Sequence, residues 1–253
     1  MFEGSTGTLL WQLDLGVRIQ SSPILGPDGT LYLGSTDNNT VYAIDVKTRA
    51  QKWMFLTSDI LFESHAIGPD GTVYVGNYAG TAYALDGQTG MKIWEAQLGP
   101  PLSDSNLVSP AVGADGTVYF GGADGKMHAL DGRAGTEIWS FQTGGATTSP
   151  GIGADGTVYF GSTDMKFYAL NGKTGAKLWE NTTNSGYSAA PALGADGTVY
   201  VGGGDWTLHA FDGKTGATIW SRWMSWGAGS PALGVGGVLF VPDSDGTLFA
   251  MAP

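Results

Sequence analysis

Carboxylates at a repeated turn position are the first residues in this chain whose type and spacing could do chemistry. Asp37, Asp124, Asp164, Asp205 and Asp245 each precede a short apolar run. A ring of such groups offers oxygen ligands for calcium. An Asp in a turn can instead cap it, accepting the backbone N–H two residues on. Turn tips on separate repeats stand too far apart to share an ion, so capping is the expectation. Asp45, Asp86, Asp131 and Asp212, each before Gly or Val, read the same way.

The three histidines are His65, His128 and His209. Zinc needs converging ligands at characteristic spacing. No pair shows it, and no carboxylate neighbours the histidines in a fixed pattern. His128 and His209 fill the slot held by Tyr42, Tyr83, Tyr168 and Phe249, which makes them packing residues. Nucleophilic catalysis has no obvious carrier, because the chain has no Cys and no Gly-x-Ser-x-Gly elbow.

The elements that would position these residues follow from tryptophan. Trp11, Trp53, Trp94, Trp139, Trp179 and Trp220 are separated by 42, 41, 45, 40 and 41 residues. A period of about 40–45 residues with four short β-type runs describes a propeller blade. Val158-Tyr159-Phe160-Gly161, Phe167-Tyr168-Ala169-Leu170 and Lys177-Leu178-Trp179 show the runs in one repeat. Asp-Gly pairs divide the first two strands at Asp28-Gly29, Asp70-Gly71, Asp115-Gly116, Asp155-Gly156 and Asp196-Gly197, with Gly236-Gly237 in the sixth copy. Glycine there accepts positive φ without steric cost. Ser-Pro opens the inner strand at Ser22-Pro23, Ser109-Pro110, Ser149-Pro150 and Ser230-Pro231. Ala190-Pro191 keeps the Pro and His65 replaces it.

The expected fold is all-β: a six-bladed β-propeller of four antiparallel strands per blade, a single domain over 1–253. Phe2 to Trp11 matches Phe211 to Trp220, and Gly246 to Met251 matches a third strand. The ring is therefore expected to close by an N-terminal outer strand. Residues 1–11 and about 221–253 would share the closing blade, leaving no open sheet edge. The start inside a blade also allows a domain excised from a longer chain.

The pattern Ser-Pro-x-Ile/Leu-Gly-x-Asp-Gly-Thr-Val-Tyr-x-Gly, followed by Tyr-Ala-Leu-Asp-x-x-Thr-Gly-x-x-x-Trp, resembles the PQQ-type, quinoprotein-like tryptophan-docking repeat. The resemblance spans essentially the whole chain. It implies a bacterial, extracytoplasmic propeller, since this blade builds quinone-dependent dehydrogenases, outer-membrane assembly scaffolds and sensor domains. The dehydrogenases carry eight blades, an adjacent Cys pair over the quinone and a Glu/Asn/Asp calcium site. This chain has six repeats and no Cys, so no cofactor is expected, with PQQ or calcium as the alternative.

Composition narrows the partners. Net charge is −11, with 12 basic against 23 acidic residues. Nucleic acid and anionic membrane surfaces both require clustered cations. No run of 18 apolar residues could span a bilayer. Met1 leads straight into a strand-like run rather than a signal peptide. The absence of Cys suits a periplasmic or extracellular location. Glycine, 42 of 253 residues, sits at fixed turn positions rather than marking disorder.

Residues that break the repeat point to a site. Loops from each outer strand to the next inner strand lie on one face with the channel mouth, and blade three carries about four extra residues around Pro100 to Asp104. Two residues before the Pro slot stand Ser21, Glu63, Val108, Thr148, Ala189 and Gly229, a row expected to enter the channel with Glu63 its one charge. Arg18 is expected beside Glu63, and Tyr187, Trp206 and Trp226 form an aromatic rim, with Trp223 a further candidate. This site suits a protein, peptide or sugar-like ligand. In the competing structural reading the indoles fold over their own loops and Glu63 pairs with Arg18. The functional expectation is a non-enzymatic, monomeric binding or sensor scaffold. The alternatives are a quinone-dependent dehydrogenase, or a hydrolase or lyase whose metal is held by Glu63 with Asp59 or Asp104.

Overall fold

The computed structural model describes residues 5–61, 64–99, 109–187, 189–224 and 227–252. Blade one comprises β1 (Ile24–Leu25), β2 (Thr30–Gly34), β3 (Thr40–Asp45) and β4 (Gln51–Leu56). Blade two comprises β5 (Ala66–Ile67), β6 (Val73–Gly76), β7 (Thr81–Leu85) and β8 (Lys92–Gln97). Blade three comprises β9 (Ala111–Val112), β10 (Thr117–Gly121), β11 (Lys126–Asp131) and β12 (Glu137–Gln142). Blade four comprises β13 (Gly151–Ile152), β14 (Thr157–Gly161), β15 (Lys166–Asn171) and β16 (Lys177–Thr182). Blade five comprises β17 (Ala192–Leu193), β18 (Thr198–Gly202), β19 (Thr207–Asp212) and β20 (Thr218–Trp223). Blade six comprises β21 (Ala232–Leu233), β22 (Leu239–Pro242) and β23 (Leu248–Met251). Each sheet is antiparallel, with its strands in sequence order.

The Asp-Gly turns form as their chemistry dictates. Asp28 Oδ1 accepts the Thr30 N–H at 3.0 Å, and Gly29 sits at φ +80°. The same bond recurs from Asp70, Asp115, Asp155 and Asp196. Where the carboxylate is lost, a single 3-10 turn, Val235–Gly237, takes over.

The core lies between blades. Five apolar clusters occupy the five junctions from blades one–two to blades five–six. Full burial of each aliphatic or aromatic side chain stabilises by roughly 1.5–3 kcal/mol. Tryptophan locks the four junctions from blades one–two to blades four–five from outside. The Nε1 of Trp53, Trp94, Trp139 and Trp179 donates to the carbonyls of Gly87, Gly132, Gly172 and Gly213 at 2.7–2.9 Å. Each indole lies on the next blade's β3–β4-type turn, at Gly90, Gly135, Gly175 and Gly216. A Cβ there would stand 2.6–2.7 Å from the indole ring. A β-bulge sets each Trp in place. The register slips between Ala43 and Ile44, for example, so that Ala43 faces Trp53 and Ile44 faces Gln51.

The closing strand expected from residues 1–11 is not among the named strands. Its first four residues lie outside the described residues, and the sixth sheet has three strands. The flanks that closure would join are less covered than their counterparts. In blade one, Leu31 and Leu33 are half-buried and Leu25 is exposed, whereas Val118, Phe120, Val158 and Phe160 are buried. In blade six, Phe240 is exposed where Tyr32, Tyr74, Tyr119 and Tyr159 are buried.

His65 fills its proline slot as a fully buried side chain packed near Gly34. Burial pulls its pKa down to about 4. In the unfolded chain the imidazole titrates near 6.5. Between these values the unfolded state binds more protons, so stability falls as pH drops through that window. Urea unfolding should show a loss of about 2 kcal/mol from His65 between pH 7 and pH 5. His65→Pro, which restores the repeat, should remove that part of the slope. An identical slope in both proteins would contradict the assignment.

Candidate functional site

The turns carrying the first row of aspartates are capped as their local chemistry requires. Asp124, Asp164, Asp205 and Asp245 accept the N–H of Lys126, Lys166, Thr207 and Thr247 through Oδ1. Asp37 differs and accepts the Arg18 N–H at 2.9 Å. Asp45, Asp86, Asp131 and Asp212 cap their own turns, and those of Asp86, Asp131 and Asp212 lie beneath an indole. No group of three or more metal-ligating side chains converges among the described residues.

The histidines correct the sequence reading in one respect. A carboxylate does neighbour two of them, His128 and His209, in a fixed pattern, four residues earlier. Asp124 Oδ2 lies 3.4 Å from His128 Nε2, and Asp205 Oδ1 lies 3.4 Å from His209 Nε2. Tyr168 uses the same geometry, donating its hydroxyl to Asp164 at 2.6 Å. For His209 and Tyr168 the capping Asp thus also bonds the polar atom of the third-strand ring, whereas His128 Nε2 stands beside Asp124 without a hydrogen bond. The signal was the recurring Asp-x-x-x-His/Tyr spacing. His128 gains a second partner across the sheet, Glu137 at 2.8 Å.

Two members of the row expected to enter the channel, Ser21 and Thr148, are instead stitched into the blades. Ser21 Oγ accepts the Gly34 N–H at 2.6 Å, and Thr148 Oγ1 accepts that of Gly161 at 2.9 Å. Ser21, Thr148 and Ala189 are buried. These hydroxyls join each inner strand to the second strand where the short ladder ends. Glu63 and Val108 lie outside the described residues, as do Trp226 and Asp104. Asp59 caps its own loop, accepting the Ile60 N–H at 2.8 Å.

Arg18 and Tyr187 are placed differently from a binding rim. Arg18 Nε stands 3.9 Å from Asp37 Oδ1, with both side chains exposed. An ion pair of this kind contributes at most about 1 kcal/mol. Tyr187 is 1% exposed, and its ring centroid lies 5.3 Å from that of Phe167 in the junction between blades four and five. Burial pushes its phenol pKa up. It is a core residue whose ring is unavailable to a ligand at the mouth.

Trp206 is different. It is 50% exposed at the tip of the β18–β19 turn, with φ +64°. The equivalent turns of blades two, three and six use Gly80, Gly125 and Gly246 at that conformation. A bulky residue there costs roughly 1–2 kcal/mol. The turn is held by the Trp206 carbonyl, which accepts the Met224 N–H at 2.6 Å. Trp223 pairs in register with Thr207 and is 65% exposed. Two indoles therefore present open surface at one corner of blade five.

The opposite face carries clefts that the sequence reading did not anticipate. They lie between successive Asp-Gly turns, with volumes of about 420, 380 and 300 Å³. Each holds one cation, Arg133, Lys173 or Lys214, among turn aspartates. The matching position between blades one and two is filled. Lys52 bonds Asp28 at 3.1 Å and Thr30 at 2.8 Å. Burial pushes the Asp28 carboxyl up, but bonds from Thr30, Lys52 and Gln88 outweigh it and hold the group at about 2.

The repeat, the interblade locks and this surface can be compared with known proteins. The family model described as outer membrane protein assembly factor BamB matches residues 1–107, 57–188 and 173–253. The chain belongs to the BamB family. No curated protein matches it. Among solved structures, BamB from Moraxella catarrhalis is 22% identical, with a TM-score of 0.62 over 96% of this chain and 88% of that one. The computationally designed Ika8 protein is 16% identical, with a TM-score of 0.81 over 93% of this chain and 71% of that one. At these identities the likeness concerns the fold. The propeller with PQQ-type repeats is thereby established, and the Trp206–Trp223 corner is a feature of this BamB-family chain itself.

Trp206→Gly relieves the left-handed strain but loosens the unfolded chain and removes some apolar contact. These effects oppose each other. The melting temperature is expected to stay within about 4 °C of the parent, the equivalent of about 1 kcal/mol for a chain of this size. A fall of 10 °C or more on the order of several kcal/mol would make the indole a structural residue.

Proposed function

We propose that this chain is a non-enzymatic scaffold that binds a protein of outer-membrane assembly on the extracytoplasmic side. The observation that carries the reading is the Trp206–Trp223 corner, where a strained backbone holds half an indole in water. Tryptophan is enriched in binding hot spots, and it loses little conformational entropy when covered. Strain of this kind persists where surrounding structure enforces it, and it clusters at functional positions. Membership of the BamB family supports a protein partner over a sugar or peptide. No PQQ or calcium takes part in this reading.

A photo-crosslinking residue at position 223, expressed in the source cells, tests the proposal. One discrete protein adduct is expected, and Trp206→Gly should weaken it at least tenfold while leaving folding intact. The same crosslinker at Ile138, on the outer strand of blade three, should give none. Equal crosslinking at both positions, or an adduct insensitive to Trp206→Gly, would contradict the assignment.

A further inference from the structure

Blades three and five carry the same three residue types at the same places. Asp124, His128 and Ser140 are spaced by four and twelve residues, and Asp205, His209 and Ser221 repeat that spacing. In both blades the serine stands on the outer strand directly opposite the histidine. Tyr42, Tyr83 and Tyr168 face Met54, Glu95 and Glu180 instead. The two sets are wired differently. His128 Nδ1 lies 2.8 Å from Glu137 Oε2, and Ser140 Oγ donates to Glu137 Oε1 at 3.1 Å. Glu137 therefore comes between the imidazole and the hydroxyl. Blade five has Thr218 in that register position, and His209 Nδ1 reaches Ser221 Oγ at 3.0 Å. His209 Nε2 lies 3.4 Å from Asp205 Oδ1. The tautomer follows from these partners. A carboxylate only accepts, so the ring proton sits on Nε2 and Nδ1 turns its lone pair to the serine. In blade three the same rule puts the proton on Nδ1, facing Glu137. Burial holds the His209 pKa below its ordinary value against the pull of Asp205, so the ring is a neutral base near neutral pH. Stacking on Phe211, at 5.5 Å and 7° between planes, fixes the ring's orientation. Ser221 itself is exposed.

We propose that Ser221 is an activated nucleophile that accepts an acyl group from an ester, with His209 as its general base and Asp205 as the positioning residue. This reactivity goes beyond the scaffold reading and does not rest on it. In the step, Ser221 Oγ bonds the ester's carbonyl carbon and passes its proton to His209 Nδ1. The bond from that carbon to the alcohol oxygen then breaks, and the proton moves on to the leaving oxygen. The products are acyl-Ser221 and the free alcohol. The backbone supplies a donor for the oxyanion. Met224 N–H bonds the Trp206 carbonyl just beyond the Thr207–Trp223 pair. That pair, and by alternation His209–Ser221, is therefore non-hydrogen-bonded. Side chains approach most closely in such pairs, and the Ser221 N–H points away from β19. β20 is the outermost strand of its sheet, with no strand paired beyond it among the described residues. An outward N–H beside the nucleophile suits the charge that develops on the carbonyl oxygen. Trp223 lies two residues on along the same face, about 7 Å away. Its exposed ring offers apolar surface to an aryl or acyl ester.

Acetylation by p-nitrophenyl acetate, located by peptide mass mapping, tests this in the folded parent. Ser140 is the internal control, since it holds the same register position and is also exposed. Ser221 should be acetylated roughly tenfold faster than Ser140 or more, the scale of general-base assistance. Thr218→Glu, at an exposed position, installs the blade-three arrangement. It should slow the labelling of Ser221 by roughly tenfold or more and leave the circular dichroism spectrum unchanged. Asp205→Asn keeps an oxygen for the turn and removes the charge that raises the His209 pKa. The midpoint of the pH profile for Ser221 labelling should therefore move to lower pH. The comparison of the two serines needs no variant, so the proposal stays testable whatever the substitutions do to folding. Equal labelling of the two serines, or labelling of neither, would overturn it. So would a folded Thr218→Glu variant as reactive as the parent, or a midpoint unmoved in folded Asp205→Asn.

Discussion

The indole–glycine lock is the contact on which the rest of the molecule depends. Each sheet has two apolar faces and cannot bury them alone, so a blade is stable only against its neighbours. The lock fixes that neighbour relation from the outer strand. A carbonyl accepts the indole N–H, and the flat ring covers a peptide that has no side chain. Three local demands coincide at the glycine: positive φ for the turn, no Cβ under the ring, and a carbonyl left free three residues earlier. That coincidence explains why a glycine stands four residues before five of the six repeat Trp residues, Arg49 before Trp53 being the exception, and why the period tolerates little drift. The β-bulge beside each Trp belongs to the same device, because it turns the outer strand so that the ring reaches across the junction.

Function is then confined to what the lock leaves over. Capping aspartates, third-strand aromatics and inner-strand hydroxyls are all engaged in joining strand to strand. Their chemistry is spent on the scaffold even where a ring of carboxylates suggests metal binding. The Tyr168–Asp164 and His209–Asp205 pairs show the economy of the arrangement, with one carboxylate holding both a turn and a ring. Open surface remains at the turn tips, where Trp206 accepts a conformation suited to glycine. The interblade clefts on the other face are lined by charges of both signs.

The fold was legible because the lock has a strict sequence form. Trp spacing, Asp-Gly turns and Ala-Leu-Asp third strands each report a backbone constraint, and together they specify six blades. The site was less legible, for two reasons. Repeat alignment locates a residue along its strand but not the side chain's direction at a loop. Tyr187 was therefore read as a rim residue, although a neighbouring glycine, Gly161, leaves it room to enter the core. Pairing across three-dimensional gaps is also invisible to a linear reading, so the expected Arg18–Glu63 pair missed the Asp37 carboxylate on Arg18's own blade. Trp206 was recoverable, because the positive-φ slot it fills holds Gly80, Gly125 and Gly246 in three blades and Asn39 and Met165 in two, so an indole there stands out.

Two glycines with the same backbone angle allow the central claim to be measured without confounding strain. Gly135 and Gly7 both lie at φ +70°. A Cβ at Gly135 would stand 2.6 Å from Trp94 Cδ2, and one at Gly7 would meet nothing within 4 Å. Alanine at either position pays the left-handed cost of about 1 kcal/mol. If the lock holds the array together, urea unfolding of dilute protein should show Gly135→Ala destabilised by about 2–3 kcal/mol more than Gly7→Ala, the scale of overpacking in a close-packed site. Equal losses at the two positions would mean that the indole contact contributes little and that the interblade apolar clusters alone hold the blades together.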